Sequence, residues 1–126
     1  MARADPKVLV VDDDPVILKL LQVNFEMEGF EVLTAGDGAE GLRAAQEGRP
    51  DIIVTDLMMP VMDGLALLAA LRAEDATRTT PVIVLSAKAQ ASDRRDGLEA
   101  GADDYVTKPF EPVDLVERVI ALLERR

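Results

Sequence analysis

Five polar residues stand at the ends of otherwise apolar runs: Asp12 and Asp13 after VLVV, Asp56 after IIVT, Ser86 after VIVL and Lys108 after YVT. Brought together, they would supply three carboxylates, a hydroxyl and an ammonium. Neighbouring carboxylates repel one another, and some stay protonated unless a cation joins them. The chain has no histidine and no cysteine. That excludes imidazole bases, histidine as a phosphate acceptor, thiolate chemistry, disulfides and the usual zinc sites. With oxygen ligands alone, magnesium is the natural cation and manganese its substitute; magnesium keeps several waters and completes its shell with phosphate oxygens. A divalent cation and a lysine beside a carboxylate form a clamp for phosphoryl transfer, the carboxylate acting as nucleophile.

The elements that would position these groups alternate along the chain. Val8 to Val11, Glu31 to Ala35, Ile52 to Thr55, Val82 to Leu85 and Tyr105 to Thr107 read as five strands, most of them solid apolar runs. Between and after them come helical patterns. The first opens at Pro15, capped by Asp14, carries Ile17, Leu20, Leu21, Asn24 and Phe25, and stops at Gly29. Gly38 to Gly48, Gly64 to Arg72 and Ser92 to Ala100 follow, the last stopped by Gly101. The final helix carries Val116, Val119, Ile120 and Leu123 as its apolar stripe. Five strand–helix units imply an α/β, doubly wound parallel sheet with right-handed crossovers. In such sheets ligands bind beyond the carboxyl ends of the strands, where the strand order reverses. That is where the five polar residues stand.

A chain of 126 residues suffices for one domain, residues 1–126, with no repeat or linker. Nothing resembles a signal peptide or a membrane span. A net charge of −10 argues against direct nucleic-acid binding and suits cations or a basic protein surface.

Singly, each residue has an ordinary reading. Asp14 is a helix cap, Asp12 or Asp13 a turn residue, Ser86 a strand end and Lys108 solvated surface. Asp56 is harder to dismiss, because an acid closing a buried strand and followed by Leu57, Met58 and Met59 is costly unless it is used. Gly36, Gly38 and Gly41 spell G-x-G-x-x-G, with Asp56 twenty residues beyond Gly36. Asp37 would obstruct a pyrophosphate, however, and the chain is too short for two mononucleotide halves, so a turn and helix start is the better reading.

The segments VLVVDDD (Val8–Asp14), PDIIVTDLMMPVMDG (Pro50–Gly64), PVIVLSA (Pro81–Ala87) and GADDYVTKPF (Gly101–Phe110) resemble the signatures of response-regulator receiver domains of two-component systems. The resemblance covers nearly the whole chain. It implies a flavodoxin-like sheet of five strands in the order 2-1-3-4-5 with five helices, in a cytoplasmic protein. It makes Asp56 the phosphoacceptor for a sensor histidine kinase or phosphotransfer protein. Magnesium would be held by Asp13, Asp56 and the backbone carbonyl of Met58, with Asp12 reaching it through a water. Ser86 and Lys108 would bind phosphoryl oxygens, a cis Lys108–Pro109 bond would aim the lysine inward, and Tyr105 would rotate into space that Ser86 vacates. Such a protein is a switch that assists its own modification, and not a conventional enzyme.

The output would be read by a downstream protein on the face of the fourth helix, fifth strand and fifth helix. Arg94, Asp104, Asp114 and Arg118 would supply charges there, with Leu115 and Leu122 partly exposed. The same residues resemble the face that forms phosphorylation-dependent homodimers in receivers joined to winged-helix DNA-binding domains. Met58 and Lys88 occupy positions that vary in the family; Met58 is a poor hydrogen-bond partner for water, which predicts slow self-dephosphorylation. Two alternatives differ in kind. One is a receiver fragment of a DNA-binding transcriptional regulator. The other is a haloacid-dehalogenase-like phosphatase, whose D-x-D-x-[TV] motif Asp12-Asp13-Asp14-Pro15-Val16 matches with Asp12 as nucleophile; the acidic pair expected after its lysine is weakly met by Glu111 and Asp114.

Overall fold

The computed structural model describes residues 5–59, 61–87 and 90–125, apart from the side chain of Ala91. Five strands alternate with five helices: β1 (Lys7–Val11), α1 (Pro15–Met27), β2 (Glu31–Ala35), α2 (Gly38–Gly48), β3 (Ile52–Asp56), α3 (Gly64–Ala73), β4 (Val82–Ser86), α4 (Ala91–Glu99), β5 (Asp104–Thr107) and α5 (Pro112–Glu124). All strand pairs are parallel and the sheet order is β2-β1-β3-β4-β5. The order reverses at β1 and β3, so the carboxyl ends of these two central strands flank the crevice that such sheets use for ligands.

Alternation along each strand builds two cores. Val8, Val10, Ile52, Val54, Ile83 and Leu85 pack with Leu21 and Phe25 of α1 and Leu115 and Val119 of α5. Leu9, Val11, Ile53, Val82, Val84 and Tyr105 pack on the other face with Ala45 of α2 and Leu67, Leu68 and Leu71 of α3. Strands covered on both faces have no polar side to show, which is why they read as unbroken apolar runs. Each aliphatic side chain withdrawn fully from water contributes about 1.5–3 kcal/mol before entropy is counted.

Local chemistry sets the helix ends. Asp14, Asp37 and Asp63 accept hydrogen bonds from the amides of Val16, Glu40 and Ala66, each capping its helix. Pro15 and Pro112 occupy first-turn positions, where the missing N–H costs nothing. Gly29 and Gly101 stop α1 and α4 with φ of +89° and +114°.

Two residues of α1 and two of α5 differ from the sequence pattern. Leu20 is exposed, and α1 buries Leu21 and Phe25 with Ile17 and Leu18 partly covered. Asn24 turns its amide to the Leu20 carbonyl, 2.8 Å away. On α5 the buried residues are Leu115, Val116, Val119 and Leu122, while Ile120 and Leu123 are partly buried. Leu115 and Leu122, expected at an exposed edge, are 0% and 7% exposed. The helix packs against both the sheet and α1, which buries a wider arc than a single stripe.

Candidate functional site

Four of the five strands deliver the crevice's side chains, β1 supplying two and β2 none. Asp12 and Asp13 follow β1, Asp56 and Ser86 are the last residues of β3 and β4, and Lys108 follows β5. One carboxylate oxygen from each of Asp12, Asp13 and Asp56 falls within a 4.8 Å cluster. Asp12 and Asp56 are buried and Asp13 is exposed. The Lys108 ammonium stands 3.3 Å from both Asp12 Oδ2 and Asp56 Oδ1. Asp12 Oδ1 accepts the Asp14 amide at 2.9 Å, which orients that carboxylate from below.

Charge is unbalanced here, three carboxylates against one ammonium. Burial, and then the negative Asp12, push the Asp56 carboxyl above its ordinary value, while Lys108 and the Leu57 amide pull it down. For Lys108, burial disfavours the ammonium, but Asp12 and Asp56 together more than offset it and hold the lysine above its ordinary value. The lysine is therefore fully cationic at neutral pH. A cation among the three acids would relieve the remaining repulsion, and an all-oxygen donor set within 4.8 Å suits a hard divalent ion.

Backbone bonds fasten the rim. The Leu57 amide donates to Leu85 O, the Gly64 amide to Leu57 O, and the Lys108 amide to Ser86 O. Ser86 is fully buried, and the Lys108–Pro109 bond is cis. Tyr105 is 1% exposed, its ring packed so closely on α4 that a Cβ on Gly97 would lie 2.8 Å from it. The ring thus already occupies a buried position. Met58 is exposed at 60%. Lys88, the other variable position, lies outside the described residues.

The charged residues of the expected output face do converge. Asp104 meets Arg118 at 2.7 Å and Arg94 at 3.5 Å, and Asp114 lines the same hollow. Leu115 and Leu122 do not join them, being part of the core. Val113 is a large exposed apolar residue of α5; it lacked a signal in the sequence because it stands beside the inward arc. The three glycines of the G-x-G-x-x-G motif are used internally. The Gly36 amide is bonded by the Glu40 carboxylate, the Gly38 amide by Met62 O, and Gly41 abuts Val11. The Gly38 contact is a feature that sequence reading missed, although the motif marked the position.

The family model of the response regulator receiver domain matches residues 8–120. The transcriptional regulatory protein PrrA of Mycobacterium tuberculosis is 57% identical over 121 residues, 96% of this chain and 51% of that protein. This chain thus spans about half the length of the curated relatives it matches. Among solved structures, the Francisella response regulator 1452 receiver domain superposes with a TM-score of 0.91 at 43% identity, covering 96% of this chain and 98% of that one. The receiver domain of sensor histidine kinase PA1611 from Pseudomonas aeruginosa, solved with magnesium coordinated in its active-site cleft, superposes with a TM-score of 0.83 at 34% identity, covering 97% of each chain. The fold, the sequence segments and the crevice agree, and the chain belongs to the response-regulator receiver domains of two-component systems.

Proposed function

We propose that Asp56 is the phosphoacceptor of a phosphorylation-activated switch formed by residues 1–126, charged by a sensor histidine kinase or phosphotransfer protein. The observation that carries this reading is the joint placement of Asp56 at the end of β3, 3.3 Å from the Lys108 ammonium and within the cluster of Asp12 and Asp13 oxygens. An Asp56 oxygen attacks phosphorus, the N–P bond of the donor imidazole breaks, and its electron pair returns to the ring nitrogen. Asp13, Asp56 and the Met58 carbonyl would hold Mg2+, or Mn2+ in its place, with Asp12 reaching it through a water. When bound, the ion supplies charge that offsets the phosphoryl oxygens. Lys108 pairs with one of those oxygens and Ser86 hydrogen-bonds another.

Ser86 and Tyr105 then shift the balance of conformations rather than create a new one. Arg94, Asp104, Asp114 and Arg118 form the charged part of the surface that a downstream protein or a second phosphorylated copy reads. The domain works in the cytoplasm and is not a conventional enzyme. Its phosphoryl group is lost slowly, because Met58 offers water no strong partner.

A second reading is favoured by the relatives, which are named transcriptional regulators and are about twice as long as this chain. This domain is then the receiver of a DNA-binding regulator, with no nucleic-acid contact of its own. The phosphatase alternative fares worse. Its nucleophile would be Asp12, which is 1% exposed and already accepts from the Asp14 amide and from Lys108.

Incubating wild type and Asp56→Asn with Mg2+ and a small phosphodonor, then weighing the intact proteins, tests the assignment. One phosphoryl mass is expected on wild type and none on the variant. Phosphate on Asp56→Asn, with or without phosphate on wild type, would overturn it, and steady turnover of a phosphate ester would restore the phosphatase.

A further inference from the structure

The loop from Leu57 to Asp63 joins the acceptor strand to α3. Its first residue is anchored by the bond from the Leu57 amide to Leu85 O, and Leu57 O in turn receives the Gly64 amide. Gly64 sits where a Cβ would lie 2.4 Å from Asp56 O, so the loop closes tightly on the acceptor strand. Near the far end of the loop, Val61 takes a φ of +69°. A β-branched residue rarely adopts that left-handed conformation, and it persists only where its surroundings impose it.

The next residue shows one such constraint. The Met62 carbonyl accepts the Gly38 amide at 3.1 Å. A Cβ on Gly38 would lie 2.2 Å from that carbonyl oxygen and 2.8 Å from Met62 Cγ. The obstacle is backbone, which cannot rotate aside as a side chain could. Only glycine at position 38 lets the first turn of α2 approach the loop this closely. The apparent nucleotide motif is therefore a point of contact between two parts of the chain.

We infer that Gly38 is a positioning residue for the cation site: its amide pins Met62, two residues before the Gly64 amide that bonds Leu57 O, and so presets the part of the loop that leads to Met58. The inference rests on the reading of the crevice given above. Groups that orient a metal's ligands affect affinity without touching the ion, commonly by tenfold or more. Gly38 would act this way on the loop carbonyl, and through the loop on Asp56.

Gly48, at the other end of α2, supplies a control. A Cβ there would lie 2.4 Å from Leu33 Cδ1, a clash of similar size, remote from the loop and against a side chain that can yield. The test is to titrate Mg2+ into metal-free wild type, Gly38→Ala and Gly48→Ala, following backbone amide resonances, and to record thermal midpoints alongside. Gly38→Ala is expected to bind Mg2+ about tenfold more weakly, and to take up phosphate normally once Mg2+ saturates. Gly48→Ala should lose stability and keep wild-type affinity. Equal affinity for Gly38→Ala and wild type would overturn the inference, as would equal weakening in both variants. In wild type alone, the Gly38 amide should shift in step with Asp13 during the titration. A Gly38 amide that stays still while Asp13 moves defeats the inference even if Gly38→Ala does not fold. If no resonance near Asp12, Asp13 or Asp56 responds in wild type, the underlying reading of the crevice fails instead.

Discussion

At the carboxyl ends of the strands one ammonium faces three carboxylates; at the amino ends of β4 and β5 one guanidinium faces four carbonyls and one carboxylate. Arg72, near the end of α3, donates to the carbonyls of Thr77, Arg78, Thr80 and Gly101 and to Asp103 Oδ2. Asp103 Oδ2 also accepts the Val82 amide, 2.8 Å away. The fork of a guanidinium matches such a ring of acceptors, and every donor finds an oxygen without crowding a like charge. At Asp56 the opposite holds, since burial and Asp12 both disfavour its charged form. Strands β4 and β5 are tied down at their amino ends, while their carboxyl ends, with Ser86 and Lys108, face the unbalanced acids of β1 and β3. The proposed switch would use this division, because a movement of Ser86 toward a phosphoryl group is useful only if the other end of its strand stays put.

Breaking the tied end should have the largest effect. Arg72→Met keeps much of the stem and strands four carbonyls, so a loss of about 2–3 kcal/mol in urea unfolding is expected. That figure sits below the cost of breaking a fully buried ion pair because the Arg72 side chain is 22% exposed. A loss under about 0.5 kcal/mol, the size of an ordinary surface change, would show that the amino ends are not fastened here.

Neutralising the unsettled end should act in the opposite direction. In metal-free protein, Asp56→Asn is expected to gain on the order of 1 kcal/mol at neutral pH by removing like-charge repulsion and the cost of a buried charge. The pH dependence has a definite sign. The folded state holds the Asp56 proton more tightly than the unfolded chain, so wild-type stability falls as pH rises from the unfolded value through the folded one. The advantage of Asp56→Asn should therefore shrink as the pH is lowered through that window. Thermal midpoints of both proteins between about pH 4 and 7.5, in chelator, measure it. A gap that widens on acidification contradicts the assigned repulsion. Added Mg2+ should stabilise wild type more than the variant.

What was legible in the sequence follows the same division. Asp12, Asp13, Asp56, Ser86 and Lys108 each terminate an apolar run, and a parallel sheet gathers such ends on one edge. The strands were legible because both faces are covered. Arg72 was not, since its partners are mostly main-chain carbonyls, which leave no trace in residue types; a lone arginine late in a helix looks solvated. Leu115 and Leu122 were misplaced for a related reason. A stripe at helical spacing locates the centre of a buried face but not its width, which here depends on α1 lying beside α5. Gly38 announced itself as a motif, yet its neighbour Met62 is known only once the chain is folded.

The face built from α4, β5 and α5 provides the smallest test and marks where the tied region ends. Asp104, with its side chain 18% exposed, accepts from Arg118 at 2.7 Å and lies 3.5 Å from Arg94, whose own side chain is half exposed. Arg94 also donates to the Tyr105 carbonyl at 2.7 Å. Ion pairs this open to water contribute little, so a double-mutant cycle of Arg118→Ala with Asp104→Asn should give a coupling of about 0.2–1 kcal/mol. Raising the salt concentration should erode most of it, because exposed charges are screened over a few ångströms at molar ionic strength. A coupling above about 2 kcal/mol that survives salt would place Asp104 with Arg72 as a second fastening of β5. The face could then not loosen under the proposed movement of Ser86, and the signal would have to leave the domain elsewhere. A small, salt-sensitive coupling leaves these charges free to change partners, as a surface read by another protein must allow.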